Sequence, residues 1–396
     1  MADHTSVSSS GSAALQAMMA QRVRDTLGSS DRTSEDRFDR VSRLAQRLFG
    51  VSSVQIRVFR RDAEWAKSIG AAGRDVGRDE FDRAVADEPG ILMVADASED
   101  PRFWDSPAVL ADPGIIFFAS VPIADSSGQR VGALQLSDSR SRVLTEPEQM
   151  LLTEVAAWVQ TEVIAQEELS RAAVVQRSLA PRPFAAIDGY EVAGACAPSR
   201  AVGGDFYDWY PTGEGAAFTL ADVMGKGVGA AIIAATVRAV IRTGARNDDL
   251  QSGLGAAWEV LEDDLDRASA FVTMFHARLA SDSGLVRYID AGHGLSFVMR
   301  ADLTATRLSS TDLPLGLQTD GTFTEHSVVL EPGDSLVSVS DGVLDSFGGS
   351  LIGLEEVEAI LIDTVTAQEA VDEILRRASE GAEDDVTALV VHRLPA

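Results

Sequence analysis

The sequence predicts an α+β protein of two globular domains joined by a long helix. Three observations carry that expectation. Segments of alternating apolar and polar residues recur along the chain, separated by short polar turns. This is the pattern of antiparallel sheets covered by helices, not of a regular βαβ wind. An uninterrupted helical pattern follows Thr145 and runs to Leu179, where Pro181 and Pro183 stop it. The composition, 45% hydrophobic and 24% charged over 396 residues, belongs to chains that bury ordinary cores, and the length suits two or three domains.

Taken in order, residues 1–30 are Ser-rich with a short apolar patch and read as a flexible tail. Phe38, Val41, Leu44, Ala45, Leu48 and Phe49 repeat at helical spacing and end at Gly50. Val54–Phe59 and Glu64–Ile69 read as a hairpin. Further strands are predicted over 91–94, 115–122 and 130–137, the last two joined by the turn Asp125-Ser-Ser-Gly128. Thr145-Glu-Pro-Glu148 then opens the long helix, with a Thr cap and acids favoured by the helix dipole. In the second half, 190–197, 205–210, 216–223, 271–280, 285–290, 295–300, 335–340 and 386–393 read as strands, and His326 falls in another. Helices are predicted over 226–242, 249–266, 354–362 and 367–379.

Charge narrows the function classes. The net charge is −27, with 28 acids and 21 bases in residues 1–188 against 33 acids and 13 bases in 189–396. Nonspecific binding to nucleic acid or to an anionic membrane needs clustered Lys and Arg, so neither partner is expected. No apolar run approaches the ~18–20 residues of a membrane span. The N-terminus lacks the basic-then-apolar order of a signal peptide, and the expected location is cytoplasmic. The single cysteine, Cys196, excludes an internal disulfide framework and a Cys-rich zinc site.

Four segments in the acidic half place carboxylates beside glycine or at strand ends: Val202-Gly-Gly-Asp-Phe-Tyr-Asp208, Ala221-Asp-Val-Met-Gly-Lys-Gly227, Ser340-Asp-Gly342 and Glu383-Asp-Asp-Val-Thr387. A single Asp-Gly is ordinary turn chemistry. The set in this order is specific. Oxygen ligands without His or Cys suit Mg²⁺ or Mn²⁺.

With these segments, the stretches VGGDFYD, ADVMGKGVGAA, FVTMFHARL, YIDAGHG, LPLGL, GDSLVSVSDG and EDDVTALVV make residues 189–394 resemble the SpoIIE/RsbU-type branch of the PPM serine/threonine phosphatases, relatives of protein phosphatase 2C. The resemblance implies an α-β-β-α sandwich with two Mn²⁺ or Mg²⁺ ions at one end. Matched by motif, Asp205 and Asp222 would hold the metals and the water between them. Val223 would offer its carbonyl, and Asp341 and Asp384 would complete the ligands. Asp385 matches the position beside that last ligand where Asp or Asn is usual, and its direct role is left open. Lys226, inside the GKG turn, is expected to serve the turn and the start of the helix. His293 is open between a structural hydrogen bond and an approach to the leaving group, with the structural role preferred, because the AGH motif continues Gly294-Leu295 where prolines are usual. Arg200 could contact phosphate, although a surface arginine is the plainer reading. Two cations roughly 3.5–4 Å apart ionise a bridging water, so no protein nucleophile is needed.

Residues 31–165 resemble a GAF domain, through FDRVSRLAQRLFGVSSVQIRVF, VADASEDPRFWDSPAV, PGIIFFASVPI and GQRVGALQLSD. That implies a central antiparallel sheet with flanking helices. The NKFDE signature of cyclic-nucleotide-binding members is absent, no Cys precedes residue 196 to link a bilin, and the ligand, small molecule or protein, is not named by the sequence. Phe103, Trp104, Phe117 and Phe118 are expected as core and lid rather than pocket lining. Residues 166–188 continue the last helix as a linker. Leu151, Val155, Trp158, Glu162, Ala165, Leu169, Ala172, Gln176 and Leu179 alternate at spacings of four and three, a heptad-like seam that predicts a parallel homodimer.

The reading is a GAF-regulated protein serine/threonine phosphatase. Family resemblance implies a phosphorylated STAS-domain anti-anti-sigma factor as its substrate in a partner-switching pathway. Two other classes stand beside it. One is a catalytically silent sensor or adaptor, whose mark would be a lost metal aspartate. The other is a small-molecule phosphohydrolase, separable only by substrate profiling.

Overall fold

Alternation decides the first sheet. Val54, Ile56 and Val58 point to one layer and Ser53, Gln55 and Arg57 to the other, all of them buried. The computed structural model describes residues 34–59, 64–70, 79–182, 187–244, 249–349, 351–380 and 382–395, so the tail predicted for residues 1–30 lies outside the described residues. Two units form, dividing between Glu168 and Leu169.

The first unit runs α1 (Ser34–Phe49), β1 (Ser53–Phe59), β2 (Glu64–Gly70), α2 (Asp79–Asp87), β3 (Leu92–Val94), α3 (Pro107–Leu110), β4 (Phe117–Ala124), β5 (Arg130–Asp138) and α4 (Glu146–Leu179). Its antiparallel sheet has the order β2-β1-β5-β4-β3. Phe38, Val41, Phe49, Leu152, Val155 and Val159 from α1 and α4 fill one face. Phe81 of α2, Phe103 and Phe118 fill the other, with Phe81 stacked on Phe103 at 4.3 Å between centroids. The polar row of that face is covered too. Arg57 donates to Asp82 of α2 at 2.6 Å, and Gln135 Nε2 to the same carboxylate at 3.2 Å. Phe103, Phe117 and Phe118 are therefore core, as expected, whereas Trp104 is 57% exposed and lies outside the core.

Helix α4 starts where the sequence signals it. The Glu148 carboxylate accepts hydrogen bonds from the Thr145 N–H and Oγ1, both at 2.8 Å. Leu151, Val155 and Trp158 pack on the first unit's own core, and of the later seam positions Leu169 and Ala172 are half-buried while Gln176 is hydrogen-bonded to Gly203. Val174, Val175 and Leu179 are exposed.

The second unit runs β6 (Tyr190–Ala197), β7 (Phe206–Pro211), β8 (Gly215–Val223), α5 (Val228–Thr243), α6 (Leu250–Ala268), β9 (Val272–Ala280), β10 (Leu285–Ala291), β11 (Ser296–Met299), β12 (Ala305–Arg307), β13 (His326–Val329), β14 (Ser335–Val339), α7 (Asp341–Ser346), α8 (Leu351–Asp363), α9 (Ala367–Ala378) and β15 (Val386–Arg393). Two antiparallel sheets form, β13-β10-β9-β8-β7 and β12-β11-β14-β15-β6. Phe218, Leu220, Phe275, Val298, Leu336 and Leu389 pack between them. Each large side chain buried there contributes roughly 1.5–3 kcal/mol. α5 and α6 cover the outer face of the first sheet, and α7, α8 and α9 that of the second. The layers are α-β-β-α, as the resemblance implies. Among the described residues no helix is long and apolar enough to cross a membrane.

Candidate metal centre

Strand register builds the site. Phe206 of β7 pairs with Ala221 of β8, which sets Asp205, just ahead of β7, opposite Asp222. In the other sheet Ser340 N–H bonds to Thr387 O at 2.9 Å, which brings Asp341, at the start of α7, beside Asp384 and Asp385, just ahead of β15. Like charges link the predicted aspartates in a chain, Asp205 to Asp222, Asp222 to Asp341 and Asp341 to Asp384. Burial, then the charge of Asp222, pushes the Asp205 carboxyl well above the carboxylate range. Burial, then the charge of Asp341, pushes Asp222 up to about 6, and a hydrogen bond links Asp222 to Asp205. Burial, then the charge of Asp384, raises Asp341. Each is a buried like-charge effect that a cation would relieve. Val223 ends β8 at the same place, with Met224 N–H bonded to Phe271 O at 2.9 Å.

The donor set is all oxygen, carboxylates and one backbone carbonyl, which fits hard divalent cations. As the side chains stand, no three Asp, Glu, His or Cys groups among the described residues form a ready cage.

Several residues arrange this cluster from behind. The Thr387 hydroxyl donates to Asp205 Oδ2 at 2.6 Å. Asp385 does not face the cluster as a free ligand. Its Oδ1 accepts from Ser199 N–H at 2.8 Å and Ser199 Oγ at 3.0 Å. Its Oδ2 accepts from Gly204 N–H at 2.7 Å and Asp205 N–H at 3.4 Å. It pins the Val202-Gly-Gly-Asp205 loop, and the loop comes so close that a Cβ on Gly203 would lie 2.2 Å from Asp385 Oδ2. Ser340 Oγ donates to Asp385 O and accepts from Thr387 N–H, at 3.0 and 2.9 Å.

Lys226 does more than the predicted turn. Its Nζ lies 3.0 Å from Asp384 Oδ2 and donates to Glu383 O at 2.6 Å. Asp208, the second acid of the VGGDFYD stretch, is buried and paired with Arg242 and Arg238 of α5, which ties β7 to that helix. His293 is buried, and its Nε2 lies 3.1 Å from Ser338 Oγ while its N–H goes to Asp290, the structural role. Arg200 is exposed on the loop after β6. Cys196 Sγ lies 3.9 Å from Asp205 O, and burial first, then the Asp205 charge, pushes its thiol up, away from nucleophilic character.

Residues the sequence reading missed, Gln176, Ser199, Ser340 and Thr387, act through contacts between distant segments. Ser340 and Thr387 stood inside the SDG and DDVT motifs, and that was their only local signal.

The buried histidines set a pH limit. Burial holds His276 and His293 each down at about 4, below the ordinary 6.5. The unfolded chain then takes up protons the folded chain refuses. This contribution to stability is whole above pH 6.5, falls as pH drops toward 4, and is worth up to roughly 3 kcal/mol per histidine. His276→Gln, which keeps a polar partner for Thr219, should lose less stability than the wild type between pH 7 and pH 5 in urea unfolding. Equal losses would remove His276 from the acid response.

The arrangement defines a class, a GAF unit joined to an α-β-β-α sandwich with a carboxylate centre at its strand ends. Residues 33–163 match the GAF domain family, and residues 212–394 match the family of stage II sporulation protein E (SpoIIE). Asp222, Val223, Asp341 and Asp384 lie in the second match, and Asp205 lies ahead of it. The chain is similar to phosphoserine phosphatase RsbU of Bacillus subtilis, 27% identical over 238 residues, 57% of this chain and 70% of that one. It is 24% identical to protein IcfG of Synechocystis over 262 residues, 57% of this chain but only 41% of that relative's length. Among solved structures, the RsbU and RsbW domains of a Mycobacterium tuberculosis protein align with TM-score 0.46 and 28% identity, over 53% of this chain and 62% of that one. The SiaA-PP2C domain of Pseudomonas aeruginosa aligns with TM-score 0.49 and 20% identity, over 59% and 98%.

Proposed function

We propose that the second unit is a metal-dependent protein serine/threonine phosphatase under the control of the GAF unit. The observation that carries this reading is the meeting of Asp205, Asp222, Asp341 and Asp384 at the strand ends, an oxygen-only set. The SpoIIE family match and the likeness to a phosphoserine phosphatase support it.

Asp205, Asp222, Asp341, Asp384 and the Val223 carbonyl would hold two Mn²⁺ or Mg²⁺ ions. When bound, these supply Lewis acidity toward the phosphoryl oxygens and a water ionised near neutral pH. The chain's own residues prepare the place. Thr387 fixes the Asp205 carboxylate by its hydroxyl, Asp385 fixes the loop that carries Asp205, and Lys226 sets a positive charge beside Asp384.

The substrate we assign is a phosphorylated STAS-domain anti-anti-sigma factor in the cytoplasm, on the strength of the family resemblance. Phosphate release from phosphoserine STAS proteins should exceed release from small phosphate esters. The reverse order favours a small-molecule phosphohydrolase, and no release from either favours a silent adaptor.

We also propose a parallel homodimer through the α4 segment beyond the first unit's core, where Leu169, Ala172 and Leu179 continue the stripe and Leu179 is exposed. Light scattering at micromolar concentration should give a dimer for the full chain and a monomer for Leu169→Glu with Leu179→Glu. A monomeric wild type would remove the dimer.

A further inference from the structure

The carboxamide of Gln176, in the last turn of α4, forms two hydrogen bonds with a single residue of the loop that carries Asp205. Its Nε2 donates to Gly203 O at 2.7 Å, and its Oε1 accepts from Gly203 N–H at 3.2 Å. Both groups belong to the second unit. A carboxamide paired with both backbone groups of one residue fixes that peptide in position and in orientation, as a neighbouring strand would. The next two residues, Gly204 and Asp205, give their N–H groups to Asp385. The loop is thus held from one side by Asp385 and from the other by α4. Gly203 lies against Asp385 on the other side, so close that a Cβ there would lie 2.2 Å from Asp385 Oδ2 and only glycine fits between the two. The helix is anchored again just past its end, where Trp209 Nε1 donates to Arg182 O at 2.9 Å.

Gln176 also occupies a seam position of the heptad-like stripe, where an apolar residue would serve a coiled coil better. Its amide is used within the second unit instead, which explains a polar residue at that point.

We propose that Gln176 is a positioning residue of the carboxylate centre. Through Gly203 it sets the place of Asp205, so the position of α4 is felt at the metal ligands. The proposal rests on the metal-centre reading, and its test separates the two.

The test uses the full chain with Gln176→Leu, which keeps helix propensity and volume but removes both hydrogen bonds. Gln176→Glu serves as the charge variant, keeping an acceptor for Gly203 N–H while setting a carboxylate oxygen against Gly203 O. Hydrogen exchange of a peptide covering residues 200–208, in chelator, reads the clamp without any metal. Calorimetric titration with Mn²⁺ reads the positioning. For Gln176→Leu we expect exchange about tenfold faster in that peptide alone and Mn²⁺ affinity about tenfold weaker, with exchange in Gln176→Glu at least as fast as in Gln176→Leu. Unchanged exchange overturns the clamp. Faster exchange with unchanged Mn²⁺ affinity overturns the positioning role while the metal-centre reading stands. A wild type that binds no Mn²⁺ overturns that reading and the positioning role together, and the exchange result then describes the loop alone.

Discussion

Asp222→Asn should lower phosphate release by three or more orders of magnitude, and Asp341→Asn by a comparable factor, because the attacking water depends on cations that these carboxylates would hold. The same electrostatics predicts that unfolding is not the cause. In the metal-free protein, burial and the charge of Asp341 raise Asp222 to about 6. A carboxyl raised in the folded state carries its cost above that pH and sheds it as pH falls toward the ordinary 3.8. At pH 7.5 asparagine removes the buried charge, so metal-free Asp222→Asn should melt no lower than the wild type. At pH 4 that relative advantage should be gone. Thermal melts in chelator at the two pH values check the sign. A variant that loses activity and also melts well below the wild type at pH 7.5 contradicts this account of the cluster.

Asp385→Ala should be the most damaging change among the residues behind the cluster. It removes the acceptor for Ser199 N–H, Ser199 Oγ, Gly204 N–H and Asp205 N–H together. Leaving buried donors unpaired costs about 1–3 kcal/mol each where water cannot replace the carboxylate, so a loss of roughly 2–4 kcal/mol is expected with part of the loop rehydrated. Activity should fall with it, because Asp205 lies on the loop that comes free. Asp385→Asn keeps one carbonyl oxygen but turns an NH₂ toward donors, and it should fall between alanine and wild type. Urea unfolding and phosphate release measured on the same samples settle the order. A fully stable, fully active Asp385→Ala would assign the loop's position to other contacts.

These two residues also show what the sequence could and could not reveal. The strands were legible because their faces differ: Tyr190–Ala197 and Val386–Arg393 are found where the pattern predicts them. The helix predicted from Lys226 starts at Val228, because Gly227 takes a positive φ of 81° and ends the turn before the helix begins. The helix Asp79–Asp87 went unseen, since only Phe81 and Val85 among its described side chains are buried apolar anchors, too few for a period. The aspartates were legible as a motif set. Their division of labour was not. Asp384 and Asp385 are neighbours of one type, and only the pairing of Asp385 with Ser199, 186 residues away in the chain, separates pin from ligand. Gln176 and Gly203 are 27 residues apart with no shared pattern, and Lys226 reaches Asp384 across the two sheets' ends. Periodicity records which face of an element is buried. It carries no record of which polar group on that face meets which.

Phosphate release from a phosphoserine peptide by the full chain, followed with Mn²⁺ present and then with excess chelator, tests the central claim most directly. The account predicts turnover with Mn²⁺, none in chelator, recovery when Mn²⁺ is restored, and a loss of about a thousandfold or more at every Mn²⁺ concentration for Asp341→Asn. Turnover that persists in chelator, or that survives in Asp341→Asn at the wild-type rate, would contradict it.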